Sequence, residues 1–282
     1  MFIIGAHLSL ENGYEGLGKK ALDIGANTFQ FFTRNPKSGK ANPLDFEDVK
    51  RLNQYIEEGK IHHVLAHAPY TMNPSSDKPW TRNFAEELMI DDLHRLNNIP
   101  GSLYNFHPGS HVGQGPEKAI EYTAAMLNRV LKPDQETIVL LETMAGKGSE
   151  IGRSFDEIAA IIEKVECKEK IGVCWDTCHL YDAGYDFANN LEGIINEFDE
   201  KIGLDKLHAI HLNDSKNHFK SHRDRHEKIG QGTLGLDTIQ QIINHPKLRH
   251  LPFYLETPHK NDEGFAEEIR LLKSIRKEQS YE

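Results

Sequence analysis

Eight short β-prone runs punctuate the 282-residue chain, each followed by a stretch of helical character: Phe2–His7, Thr28–Phe32, His63–His67, Leu103–His107, Thr137–Glu142, Ile171–Asp176, Leu207–Leu212 and Phe253–Glu256. Their starts lie 26, 35, 40, 34, 34, 36 and 46 residues apart, which leaves room in each interval for the crossover helix that parallel neighbours require. Helical periodicity fills the intervals. Phe155, Ile158, Ala159 and Ile162 follow a Ser154 N-cap with Glu157 three residues on, and Gly235–Ile243 and Phe265–Ile275 read the same way. Apolar strands in eightfold alternation with helices predict an α/β fold, a (β/α)8 TIM barrel. A doubly wound open sheet is the alternative, disfavoured because no glycine-rich phosphate fingerprint follows any strand.

No linker, low-complexity stretch or composition shift divides the chain, so residues 1–282 are expected to form one domain. The least regular stretches, Thr33–Leu44, Tyr70–Arg82 and Asn213–Gly232, each follow a proposed strand. In a barrel they meet on the C-terminal rim, where active sites are built.

Other classes are excluded by composition. No apolar run approaches the roughly 18 residues of a membrane helix, and the N-terminus lacks the basic region of a secretory signal. A cytoplasmic enzyme is expected. Cys167, Cys174 and Cys178 are odd in number and form no CxxC pair, so they read as reduced packing residues rather than as disulfides or a thiolate metal site. The net charge is −10, from 33 basic and 43 acidic residues, which is the wrong sign for a general nucleic-acid binder.

Six strands end on nitrogen or oxygen ligand types: His67, His107, Glu142, Asp176, His211 and Glu256. One such residue is ordinarily a cap or a hydrogen-bonding group. Six converging in one funnel pose an electrostatic problem, because closely packed carboxylates repel unless cations neutralise them. Imidazole with carboxylate and no thiolate suits Zn2+, with Mn2+ or Fe2+ as alternatives, better than Ca2+ or Mg2+. His179 lies one turn past Asp176, and Asp224 and His226, two apart in an extended segment, project the same way. Nine ligands exceed the needs of one ion and fit three divalent ions with one carboxylate bridging. Four carboxylates against three divalent ions leave the pocket at about +2. With Lys37, Lys40, Lys147, Arg153, Lys216 and Arg225 on the rim loops, such a pocket attracts an anionic substrate despite the acidic surface. Clustered divalent ions point to in-line displacement at phosphorus, hence phosphodiester cleavage.

These motifs resemble endonuclease IV, the metal-dependent family of abasic-site endonucleases, nearly from end to end. The resemblance rests on Gly5-Ala6-His7; His67-Ala68-Pro69-Tyr70 with Asn73; Asn105-Phe106-His107-Pro108-Gly109-Ser110-His111; and Leu141-Glu142-Thr143-Met144-Ala145-Gly146. It continues through Gly172-Val173-Cys174-Trp175-Asp176-Thr177-Cys178-His179, Ala183-Gly184-Tyr185-Asp186 and His211-Leu212-Asn213-Asp214-Ser215-Lys216. Asp224-Arg225-His226-Glu227, Ile229-Gly230, Gly232 and Leu255-Glu256-Thr257-Pro258 complete it.

The resemblance implies three zinc ions. In family terms Glu142 bridges two ions, with His67 and His107 completing the first and Asp176, His211 and Glu256 the second, while His179, Asp224 and His226 hold the third. Glu142 and Glu256 are the implied catalytic carboxylates. The implied reaction is hydrolysis of the phosphodiester 5′ to an abasic site in duplex DNA, leaving a 3′-hydroxyl, with trimming of blocked 3′ ends, in base excision repair. Recognition would exploit the weak stacking at a missing base, with the loops at Lys37 and Tyr70 wedging into the duplex; a monomer is expected. The chain departs from the pattern in lacking an arginine beside Lys37 and a bulky apolar residue at Thr71, and in carrying Asp182 where small residues are usual. The rival is a two-metal sugar isomerase or epimerase of the same barrel type, which needs no third ligand set.

Among the neighbours, His7 reads as a hydrogen-bonding residue rather than a ligand. His62, His63, His245, His250 and His259 read as solvated, Trp80 and Phe84 as packing residues, and His111 as either a phosphate contact or a helix cap.

Overall fold

A computed structural model describes residues 1–277. Its strands are β1 (Ile4–Leu8), β2 (Gln30–Phe32), β3 (Leu65–His67), β4 (Leu103–Phe106), β5 (Ile138–Glu142), β6 (Ile171–Asp176), β7 (Leu207–His211), β8 (Asp214–Ser215), β9 (His226–Glu227) and β10 (Phe253–Leu255). Eight of these close in the order β1-β10-β7-β6-β5-β4-β3-β2, the TIM barrel that the sequence spacing predicts. Around it run α1 (Gly13–Asp23), α2 (Phe46–Glu57), α3 (Pro79–Leu96), α4 (Pro116–Val130), α5 (Phe155–Glu163), α6 (Thr177–Ala183), α7 (Phe187–Lys201), α8 (Leu236–Asn244) and α9 (Asp262–Ile275).

Two details differ from the sequence reading. The stretch Asn213–Gly232, expected to be irregular, contains the antiparallel pair β8 and β9. Strands β2 and β3 keep three residues each, although the apolar runs extend further. Phe29 and Val64 remain buried, and their carbonyls accept the Leu65 and Leu103 N–H groups at 3.1 and 2.9 Å, so the chain is already hydrogen-bonded to its neighbour just ahead of each three-residue strand.

Local chemistry sets the helices. Ser154 accepts the Glu157 N–H at 3.3 Å while the Glu157 carboxylate accepts the Gly152 N–H at 2.8 Å, so free donors at the start of α5 are satisfied. The buried face of α5 then places Phe155 against Trp175 of β6, with ring centroids 5.9 Å apart.

Barrel packing decides where the site lies. Leu65, Leu103, Leu140, Cys174, Ala209 and Tyr254, one from each of six strands, form an apolar layer separate from the larger core beneath the helices. Strand side chains alternate with period two. The next inward positions are therefore His67, Asn105, Glu142, Asp176, His211 and Glu256, stacked above that layer at the C-terminal mouth.

Candidate metal centre

All nine residues expected as ligands meet at this mouth. Three groups each bring their ligand atoms within 4.8 Å of one another: His67, His107 and Glu142; Glu142, Asp176, His211 and Glu256; and Asp176, His179 and His226. Asp224 joins the last group through its carboxylate, 2.9 Å from His179 Nε2 and 3.7 Å from His226 Nε2. Glu142 belongs to two groups, as a bridging carboxylate would. Asp176 is also shared by two, which the sequence reading assigned to Glu142 alone.

Each imidazole except His107 has one ring nitrogen tied down and the other aimed at carboxylates. His67 Nδ1 donates to the Ala68 carbonyl at 2.7 Å and turns Nε2 to Glu142. His179 Nδ1 donates to the Thr143 carbonyl at 2.9 Å, and His226 Nδ1 to the Glu256 carbonyl at 3.2 Å. His211 is inverted: Nε2 donates to Gln30 Oε1 at 2.6 Å, so Nδ1 faces Glu256 at 3.2 Å and Glu142 at 3.4 Å. Such partners fix the tautomer that leaves a lone pair for a metal.

The carboxylates are held by the fold as well. Asp176 ends β6 and caps α6, its Oδ1 accepting the His179 N–H at 2.9 Å, which sets that ring one turn away. Asn213 Nδ2 donates to Asp176 Oδ2 at 2.8 Å, and Asn213 Oδ1 accepts the Glu256 N–H at 2.9 Å. Asn105 Nδ2 donates to Glu142 Oε2 at 2.5 Å.

The electrostatics of this cluster call for cations. Burial alone would raise the Glu142 and Glu256 carboxyls, yet His107 and His211 beside the first, and His211 and His7 beside the second, hold both well below the usual carboxylate range. Burial likewise would lower His179, and Asp176 and Asp224 push it well above the ordinary imidazole value. His211 is also raised well above it, where burial is outweighed by the carboxylates of Glu256 and Glu142. The site thus stabilises positive charge. Glu142 Oε1, His211 Nδ1 and His226 Nε2 are buried with no hydrogen-bond partner, and all three point into the cluster. Divalent cations would satisfy these orphaned atoms, so the donor set fits several divalent-metal sites. Cys174 is no competitor: burial pushes its thiol up to about 11, leaving it neutral.

A cavity of about 400 Å³ opens over the cluster, lined by His7, Phe32, Tyr70, Arg225 and Pro258 with the ligand residues other than Asp176 and His211, which lie beneath it. Tyr70 is 65% exposed, its ring 5.2 Å from that of Phe32. A second cavity of about 730 Å³ shares His7 and Phe32 and runs along the loops after β1 and β2, past Ser9, Asn35 and Lys40. Lys37 is exposed on the outer turn of its loop and lines neither cavity. Arg34, three residues earlier, is turned inward onto Asp92 and Asp91.

Several neighbours differ from expectation. His245 and His259 are not solvated; they lie against Glu192 at 2.7 Å and Glu268 at 2.9 Å. Trp80, expected to pack, is 67% exposed in the first turn of α3, whereas Phe84 does pack against the core. His111 Nδ1 accepts the Gly113 and Gly115 N–H groups in the turn ahead of α4, whose N-cap Gly115 supplies no side-chain cap, so the ring braces this turn rather than capping the helix. His7 hydrogen-bonds Gln30 at 2.7 Å. Gln30 escaped the sequence reading, and Asn105 and Asn213 entered it only inside motifs, with no role; counting inward positions by two from the apolar layer finds Asn105.

Fold and site define a metal-dependent enzyme of the (β/α)8 class. A family model described as a xylose isomerase-like TIM barrel matches residues 19–275. The chain is 60% identical, over 98% of its length and 100% of the relative's, to a probable endonuclease 4 of Clostridium botulinum (strain Alaska E43 / Type E3). It superposes on the crystal structure of endonuclease IV from Thermus thermophilus with a TM-score of 0.85 and 28% identity, covering 97% of this chain and 98% of that one. A D-tagatose 3-epimerase-like protein superposes at 0.70 with 15% identity, covering 96% of each chain, a likeness of fold alone. The chain belongs to the endonuclease IV family and is a metal-dependent hydrolase of that type. No helix among the described residues is long and apolar enough to cross a membrane.

Proposed function

We propose that this protein is a cytoplasmic, monomeric DNA-repair enzyme that hydrolyses the phosphodiester 5′ to an abasic site in duplex DNA, leaving a 3′-hydroxyl, and that it also trims blocked 3′ ends. The reading assigns three zinc ions to the nine residues: His67, His107 and Glu142; Glu142, Asp176, His211 and Glu256; and His179, Asp224 and His226, with residues 1–282 acting as one catalytic unit. The observation that carries it is the third ligand set, because a sugar isomerase working with two metals has no use for His179, Asp224 and His226.

Bound divalent ions lower the pKa of coordinated water and neutralise phosphate oxygens. The chain supplies the rest. Glu142, its side chain 1% exposed, keeps two ligand sets at fixed separation. Glu256 is the more open carboxylate at 18%, and Gln30 Nε2 donates to its Oε1 at 2.6 Å. It is placed to accept a proton from, and so orient, the attacking water. As the water oxygen bonds to phosphorus the P–O3′ bond breaks; the departing oxygen takes up the proton that the water gave to Glu256 and becomes the 3′-hydroxyl, and the phosphate stays on the 5′ side of the abasic residue. Phe32 and Tyr70 form an aromatic wall on which the extrahelical sugar can rest, with Tyr70 free to enter the gap left by the missing base. Lys37 contributes charge to the approaching backbone.

The test is incision of a duplex carrying one tetrahydrofuran abasic analogue, with metal analysis of the same sample. The expected product ends in a 3′-hydroxyl immediately 5′ of the lesion, and the expected content is three zinc equivalents. Strand scission that proceeds only with an aldehydic abasic site, by elimination, would overturn the reading.

A further inference from the structure

We propose that Asp182 is a positioning residue that fixes Asp224 for cation binding and so sets the affinity of the third ion, an inference that rests on reading His179, Asp224 and His226 as ligands. Asp182 is completely buried in the last turn of α6, three residues beyond His179. Its Oδ2 accepts the backbone N–H of Asp224 at 2.9 Å, and its Oδ1 accepts Ser215 Oγ of β8 at 2.7 Å. Its carbonyl accepts the N–H of His222 at 3.1 Å. One residue thus ties the loop in two places.

The loop needs such ties. Lys220, His222 and Asp224 have φ of 60°, 53° and 53°, the left-handed region that residues other than glycine rarely adopt. A segment passing three side-chain-bearing residues through that region persists only where the surroundings over-determine it. Lys220 is itself held by the neighbouring helical residue, its N–H donating to the Tyr181 carbonyl at 3.2 Å. The last turn of α6 therefore acts as a template for the loop, and its first turn carries His179. A ligand from the helix and a ligand from the loop are referenced to each other through Asp182.

The experiment uses zinc-loaded full-length protein as wild type, Asp182→Ala, Asp182→Asn and His226→Ala. Metal content is read by mass spectrometry after dialysis against graded chelator, and the melting temperature of each metal-free protein is measured in parallel. Asparagine can still accept the Asp224 N–H and donate to Ser215, so it serves as the conservative rescue. Asp182→Ala is expected to lose one equivalent of three at roughly 10- to 100-fold lower chelator concentration, with the other two unmoved and Asp182→Asn close to wild type. Asp182→Ala retaining all three ions at wild-type affinity would overturn the proposal and leave the ligand reading intact. So would loss of all three ions together with a lowered metal-free melting temperature in both Asp182 variants, which is the mark of a general packing role. If wild type binds no third ion, or His226→Ala keeps it, the ligand reading itself fails and the proposal with it.

Discussion

Replacing Arg34 by methionine tests how the loop after β2 is held. The side chain of Arg34 is 5% exposed and that of Asp92 of α3 wholly buried. Asp92 accepts Arg34 Nε at 2.9 Å, Arg34 Nη2 at 2.8 Å and Tyr104 OH at 2.8 Å, together with the Thr33 hydroxyl. Arg34 Nη1 also donates to the Gly39 carbonyl at 2.9 Å, across the loop that carries Lys37. Methionine fills the volume and removes two of the four donors to a buried carboxylate. Breaking one side of such a pair costs about 3–5 kcal/mol, mostly as an uncompensated charge, whereas replacing both sides can be nearly neutral. Arg34→Met should therefore lose about 3–5 kcal/mol in urea unfolding of the zinc-loaded protein, and Arg34→Met/Asp92→Asn should recover at least about 2 kcal/mol of it.

The pH dependence gives an internal check. Burial already holds the Asp92 carboxyl above its ordinary value against the pull of Arg34. Without the guanidinium the folded-state pKa rises further above the unfolded one. The stabilising contribution of the protonated carboxyl is then complete below the unfolded pKa and is lost as pH climbs through the folded pKa. The deficit of Arg34→Met should thus be smaller at about pH 5 than at about pH 8. A single mutant within about 1 kcal/mol of wild type, a double mutant no better than the single, or a deficit that shrinks with rising pH would each refute the assignment of Arg34 as the neutralising partner.

Glu256→Gln should abolish incision, by at least about 10²-fold in kcat, while circular dichroism stays unchanged; persistent cleavage by highly purified variant would show the carboxylate misassigned. Tyr70→Ala should reduce discrimination between lesioned and intact duplex with zinc content unaltered, since Tyr70 lines the cavity and packs on Phe32; unchanged discrimination removes the wedge role. In metal-free protein His179 and His211 have raised folded-state pKa values, so the stability they contribute is complete below about 6.5 and declines as pH rises through the folded values. Zinc should therefore raise the melting temperature more at about pH 8.5 than at about pH 6.5, and a gain that shrinks with pH would mean that the imidazoles are not the groups the metal replaces.

The barrel was legible because its signal is a period of whole strand–helix units, which survives errors at element ends. His67, Glu142, Asp176 and His211 were legible for the same reason: each closes an apolar run, and a run that ends on a ligand type needs explaining. Gln30 was not. It sits inside an apolar segment between Phe29 and Phe31, and only barrel closure brings it to His211 and Glu256, 181 and 226 residues away in sequence. Local pattern also cannot separate a solvated histidine from one meeting an acid on another helix, so His245 and His259 were misjudged. Trp80 fails in the opposite direction, since a large ring beside a proline predicts burial only if the helix turns that face inward, and α3 turns it to solvent. The role of Asp182 needed coordinates because its partners, Ser215 and Asp224, lie 33 and 42 residues on.

The acidic surface is part of how such an enzyme would choose its substrate. With a net charge of −10, the protein has little long-range attraction for undamaged duplex, whose rigid backbone cannot reach a cluster recessed at the mouth of the barrel. A site lacking a base bends cheaply and can deliver one phosphate into the cavity, where the proposed ions reverse the sign of the potential. Affinity then comes from deformation of the lesion and not from counterion release along a basic face. Binding of intact DNA should accordingly be weak, and the salt dependence of lesion binding shallower than the steep slopes of proteins that make about six to ten phosphate contacts. Rigid, pre-placed ligands suit this scheme. A cluster whose imidazole tautomers and carboxylates are already fixed by Gln30, Asn105, Asn213 and the backbone has little left to reorganise when the phosphate arrives, and the cost of bringing it there falls on the DNA, where intact and damaged strands differ.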